Sequence, residues 1–229
     1  MRSEAEAISF IDESKFALDQ LYVSLNERLN ILSDLQKKLD KQLHEIKYRT
    51  EIEHTVFVEQ DQWSDNANYY YGRYIEQMKS LQNQSQQISD ELNDLDNPVR
   101  QKQIFDETLA RLGATEAALD NLAAAVLQTA KQSISYRFGR NRPNLNGVRL
   151  VGTQPIVNVI WEGRNNGIHW EDGGAFQRVT DMFNQLNADF GLNLLLTENN
   201  ALKVIELLGW KNSDDVITDL KLLVQATQA

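Results

Sequence analysis

The 229-residue chain contains no cysteine. That excludes disulfides, thiol nucleophiles and thiolate metal sites, and it leaves the redox compartment open. Proline occurs three times and glycine eleven times, and neither falls between Met1 and Tyr71. No run reaches the roughly 18 apolar residues that a membrane-spanning helix needs. Met1 to Phe10 carries Glu4 and Glu6 and no long apolar core, so it does not read as a secretory signal. Motif chemistry is also scarce. There is no phosphate-cradling loop ending in Gly-Lys-Ser/Thr and no Gly-x-Ser-x-Gly elbow. Gly163 and Gly167 read as part of a hairpin with no helix after them, so they do not make a dinucleotide loop. The expectation is a cytoplasmic protein with no cofactor, no metal and no catalytic centre.

What fills the first half instead is an apolar ridge. Leu18, Leu25, Leu32, Leu39 and Ile46 recur every seventh residue, with Leu21, Leu29, Leu35 and Leu43 at the half-steps. Residues three, four and seven apart share one face of an α-helix, so this seam needs a partner helix from this chain or another. The helix begins near Ser3, whose spacing to Glu6 is that of a capping box, or near Asp12. It runs about 45 to 55 residues. The β-branched and aromatic cluster at 54–58 weakens it, and a break is expected before Ser64.

A second helix is expected over 66–95, on a seam of Tyr71, Tyr74, Met78, Leu81, Ser85, Ile88, Leu92 and Leu95. Ser85 is either a polar register-setting position in that seam or an exposed turn. Tyr69, Tyr70 and Tyr71 cover about 200° of a helix. Tyr69 and Tyr70, with Trp63, are therefore candidates for a partner surface, the alternative being packing on the C-terminal domain. A third helix is expected from Pro98, because Asn97 suits the N-cap and proline the first helical position. Its seam is Phe105, Leu109, Leu112, Glu116, Leu119, Ala123, Val126 and Ala130, and its alanine-rich end allows close helix approach.

Residues 1–132 therefore read as a three-helix antiparallel coiled-coil bundle. In outline it resembles a spectrin-type three-helix repeat, an analogy of architecture that implies no function. The net charge of −10 is concentrated here, with 14 Lys/Arg against 23 Asp/Glu in these residues. Such a surface is a poor general binder of nucleic acid or anionic lipid.

A linker is expected over 133–147, where Gly, Pro and Asn gather. Arg137, Arg140 and Arg142 interleave with Tyr136 and Phe138 there. Basic and aromatic residues in alternation suit single-stranded nucleic acid. The preferred reading is that these arginines pair with the acidic helical half.

Residues 148–229 read as a small α/β domain, making the whole chain α+β. Val148–Val151 and Ile156–Trp161 are expected as strands. The second returns through a Gly163–Gly167 turn to a strand at Ile168–Trp170, giving a β-hairpin. A helix follows from Ala175 to Phe190, ended by Gly191, then a strand at Leu192–Leu196, then a helix at Glu198–Leu208, ended by Gly209, and a last helix at Ser213–Ala226, capped by Asn212 or Ser213. In the hairpin His169 shares a face with Glu171, beside Asp172 and opposite Glu162. A histidine among carboxylates can bind a metal or move a proton. No third ligand stands at motif spacing, so a structural role is preferred. His44 and His54 are about 1000° apart around the first helix and cannot share a metal.

The expected function is that of a non-catalytic protein-interaction module: a scaffold, adaptor or accessory subunit acting through helix pairing and self-association. Its partners would be another protein or further copies of itself. The alternative is an enzyme or nucleic-acid-linked effector with its working end at His169 or the arginine-rich linker.

Overall fold

The computed structural model describes residues 2–57, 98–172 and 177–228. Among them the protein is mostly helical, with one two-stranded antiparallel sheet. Helix α1 covers Glu4–Phe57 and α2 covers Pro98–Phe138. Short strands β1 (Leu150–Val151) and β2 (Gln154–Pro155) precede α3 (Ile156–His169) and a single 3₁₀ turn, Trp170–Asp172. Then come α4 (Gln177–Phe190), α5 (Ala201–Leu207) and α6 (Ser213–Gln225). The helix expected at 66–95, the break before Ser64, and the candidates Trp63, Tyr69 and Tyr70 lie outside the described residues. What stands is a pair of long helices, α1 and α2, packed closely together.

The start of α1 is the capping box read from the sequence. The Ser3 amide donates to Glu6 Oε2 at 2.8 Å, and Ser3 Oγ accepts from the Glu6 amide at 3.3 Å. Helix α2 starts on Pro98 and runs past the expected boundary at 132. Ser133–Phe138, expected as linker, are its last turns. The reason is local: Ser133, Ile134 and Phe138 are buried and extend the seam, and the first helix-ending residue is Gly139. Gly139 adopts φ +95°, and its amide donates to the Ser135 carbonyl at 2.8 Å.

Two compact units form, and one of them is assembled from two separate stretches of the chain. One joins Met1–Leu29 to Glu116–Ala229; the other is Asn30–Thr115. In the second, Leu35, Leu39, Phe105 and Leu112 are buried together, with Leu32, Leu43 and Leu109 packed against them. Here the apolar ridge of α1 meets α2 of the same chain. Thr108 and Thr115 are buried as well, and each hydroxyl donates to a carbonyl one turn back, at 2.7 Å.

In the first unit the opening turns of α1 bury Ala7, Ile11, Leu18, Tyr22 and Leu25. The N-terminal end of α1 lies at the C-terminal end of α2: Phe10 stacks on Tyr136 with ring centroids 4.6 Å apart. Helix α6 lies along α1, tied by Lys221 to Asp12 at 2.6 Å, by Lys15 to Asp214 and by Ser213 to Asp19. The Tyr22 hydroxyl donates to the Trp210 carbonyl at 3.3 Å. These contacts draw the first turns of α1 into one unit with the C-terminal helices. Leu29, placed on the seam by its spacing, is exposed. Ile46 lies within α1, and its side chain is outside the described residues.

The C-terminal segment departs most from expectation. Ile156–Trp161, expected as a strand, is the first half of α3, and the expected Gly163–Gly167 turn is its second half. A short run apolar on all sides suits a buried strand or a buried helix equally. Here Ile156, Val157, Val159, Ile160 and Trp161 are all buried, which fits a helix surrounded by α4, α5 and the strands. The two glycines serve close packing. A Cβ at Gly163 would sit 2.7 Å from Val204 Cγ1, and one at Gly167 would sit 3.1 Å from the Ala124 Cβ. The true hairpin is upstream, pairing Leu150 with Pro155 and Val151 with Gln154 around Gly152 at φ +59°.

Leu192–Leu196 forms no strand. The Asn187 side chain takes the place of a ladder, accepting from the Leu194 amide at 2.7 Å and donating to its carbonyl at 3.3 Å. The last helix is as expected, with Asn212 accepting from the Asp215 amide at 3.1 Å and the Asp215 side chain accepting from the Asn212 amide.

Candidate functional site

The three candidate arginines fall at and just beyond the end of α2, and two are engaged within the protein. Arg137 donates to the carbonyls of Val224, at 3.4 Å, and Arg2. Arg142 pairs with Glu162 at 2.7 Å. Glu162 is 2% exposed, and its second oxygen accepts from Asn165 at 3.0 Å. A buried carboxylate needs such partners, so this pair pins the segment after α2 onto α3. Arg140 is exposed. The expected pairing of these arginines with the acidic helices is replaced by backbone carbonyls and Glu162.

His169 is the last residue of α3, while Glu171 and Asp172 belong to the 3₁₀ turn that follows. The shared strand face on which they were grouped does not exist. Glu162 lies seven residues before His169 on the same helix, about 10 Å along its axis. No group of three His, Cys, Asp or Glu side chains among the described residues is placed to hold a metal.

The structure instead brings together residues that the hairpin reading kept apart. One turn of α2, Gln128 and Lys131, faces one turn of α3, Trp161 and Arg164. Lys131 Nζ sits 4.7 Å from the centroid of the buried Trp161 ring, a cation–π arrangement. The Arg164 guanidinium is held by amide oxygens: Nε donates to Gln128 Oε1, and Nη1 donates to Asn165 Oδ1 at 3.3 Å. Neither cation has a carboxylate partner among the described residues. Burial pulls Lys131 below the ordinary lysine range and Arg164 adds to it by charge repulsion; burial also lowers Arg164. The signal in the sequence was the three-residue spacing of Trp161 and Arg164, which becomes one helical face only once 156–169 is a helix.

A buried polar network lies nearby and is fully partnered. Asn166 Oδ1 accepts from the Asn200 amide at 3.0 Å, and Asn166 Nδ2 donates to the Glu198 carbonyl at 3.1 Å. Asn200 Nδ2 donates to the carbonyls of Leu195 and Glu198 at 2.7 and 2.9 Å. It fixes the turn into α5. In the first turn of α5, the Leu202 amide donates to Asp120 of α2 at 3.3 Å.

No known family, curated protein or solved structure matches the chain.

Proposed function

We propose that this protein is a non-catalytic helical interaction module, a scaffold, adaptor or accessory subunit, that works by self-association through a helix surface. What supports the reading is the distribution of apolar residues on the first turns of α1. Leu18, Tyr22 and Leu25 are buried within their own unit, so that stretch of the ridge already has its partner. Phe16 and Val23, one heptad apart, remain 74% and 50% exposed. An aromatic and a β-branched residue in register on a helix surface suit a second helix laid across them.

The reading places the interaction outside Leu18, Leu25 and Leu39, whose burial gives them a folding role. The nucleic-acid alternative loses support from Arg137 and Arg142, each of which spends part of its donors on the Val224 and Arg2 carbonyls or on Glu162. The enzymatic alternative draws no support from the separation of His169 and Glu162 on one helix. A photo-crosslinking amino acid in place of Phe16 tests the proposal in the full chain. Irradiation at micromolar concentration is expected to give a covalent dimer. Irradiation that yields only single chains contradicts it.

A further inference from the structure

The pair of cations between α2 and α3 is set apart by its partial burial. Acidic residues outnumber basic ones, 33 to 23, yet Lys131 and Arg164 have no carboxylate partner among the described residues. Both are partly buried, so each has given up part of its hydration, and each repels the other. Neutral contacts offset part of the desolvation, but no negative charge among the described residues balances either cation. Trp161 contributes only a ring face to Lys131. Gln128 and Asn165 contribute neutral oxygens that fix the plane of Arg164.

That fixing also matters for recognition. Arg164 spends Nε and one Nη1 hydrogen on the two amides, leaving the remaining Nη hydrogens. Lys131 retains its ammonium donors. A guanidinium held in place presents a fork that matches an oxyanion, and the lysine adds a second charge from the facing helix. Two positive charges suit a doubly charged oxyanion better than a singly charged carboxylate. The covered face of Trp161 leaves no aromatic surface for a base to stack on.

We propose that Lys131 and Arg164 form a binding site for a phosphate group, either inorganic phosphate or a phosphate monoester. The site is independent of self-association through α1, and either stands if the other fails.

The test is calorimetric titration of the full chain with inorganic phosphate, glycerol phosphate, acetate and chloride at matched ionic strength. Saturable binding is expected for the phosphates, and the tighter of the two identifies the source. Lys131→Gln and Arg164→Gln are each expected to weaken it about tenfold or more, with Arg140→Gln as a neutral control. A second measurement uses the unaltered chain. Bound phosphate should slow acetylation of Lys131, followed by mass spectrometry, while the exposed Lys37 reacts at its usual rate. A response matched by acetate or chloride overturns the proposal. So does phosphate binding that persists in the double variant, or acetylation of Lys131 that phosphate leaves unchanged.

Discussion

Gly113 and Gly163 are both helical glycines, and their surroundings set opposite expectations. Gly113 is exposed in α2 and a Cβ there would meet nothing within 4 Å. Gly113→Ala removes backbone freedom from the unfolded chain and should stabilise by about 0.5–1 kcal/mol. Gly163→Ala gains the same propensity but places its Cβ against Val204, whose branched side chain has one favoured rotamer in a helix. Overpacking of this kind should outweigh the gain, leaving a loss of about 1–3 kcal/mol. Urea melts of the two variants, read by circular dichroism, check both signs. Asp120 adds a pH dependence. Burial pushes its carboxyl above the ordinary range, helped by Glu116 and Glu198 and opposed by the Leu202 amide and Lys203. A carboxyl raised on folding costs nothing below its unfolded pKa, and the cost appears as pH rises through the folded value. Asp120→Asn keeps an acceptor for the Leu202 amide. Its stability relative to the native chain should therefore rise between acid and neutral pH. A difference that is flat with pH, or falls, contradicts this.

At the scale of elements, helix ends were legible because their signals are local. Ser3 with Glu6, Pro98, Gly191, Asn212 and Gly209 each act within a few residues, and each marks an observed end. Removing one should be felt: Asn212→Ala deletes the acceptor for the Asp215 amide and should cost about 0.5–2 kcal/mol in a thermal melt. What the sequence hid depends on distant partners. Ile156–Trp161 is apolar on every side, so its periodicity does not separate strand from helix. The glycines that follow carry turn chemistry by composition. Their role in close packing is visible only beside Val204, Ala124 and Ala201. The same error concealed the Lys131–Arg164 pair, since a hairpin puts Arg164 in a solvated turn. It also created the His169 cluster, which required a strand face. The ridge of α1 was legible as a ridge, but seven-residue spacing does not say which helix covers it.

On the scale of the whole molecule, the ridge and the C-terminal helices divide the work. Residues of α1 that the heptad singled out are consumed by the fold: Leu18 and Leu25 in one unit, Leu35 and Leu39 in the other. Among the described residues no helix is long and apolar enough to cross a membrane. In the proposed reading, recognition falls to what the fold leaves outside, and among the described side chains of α1 the largest exposed apolar one is Phe16. The most direct measurement is the molar mass of the full chain by light scattering across micromolar concentrations. The expected result is a dimer or larger assembly that Phe16→Glu together with Val23→Glu returns to single chains without loss of helicity. A single-chain mass at every concentration, or an assembly indifferent to both substitutions, would contradict it.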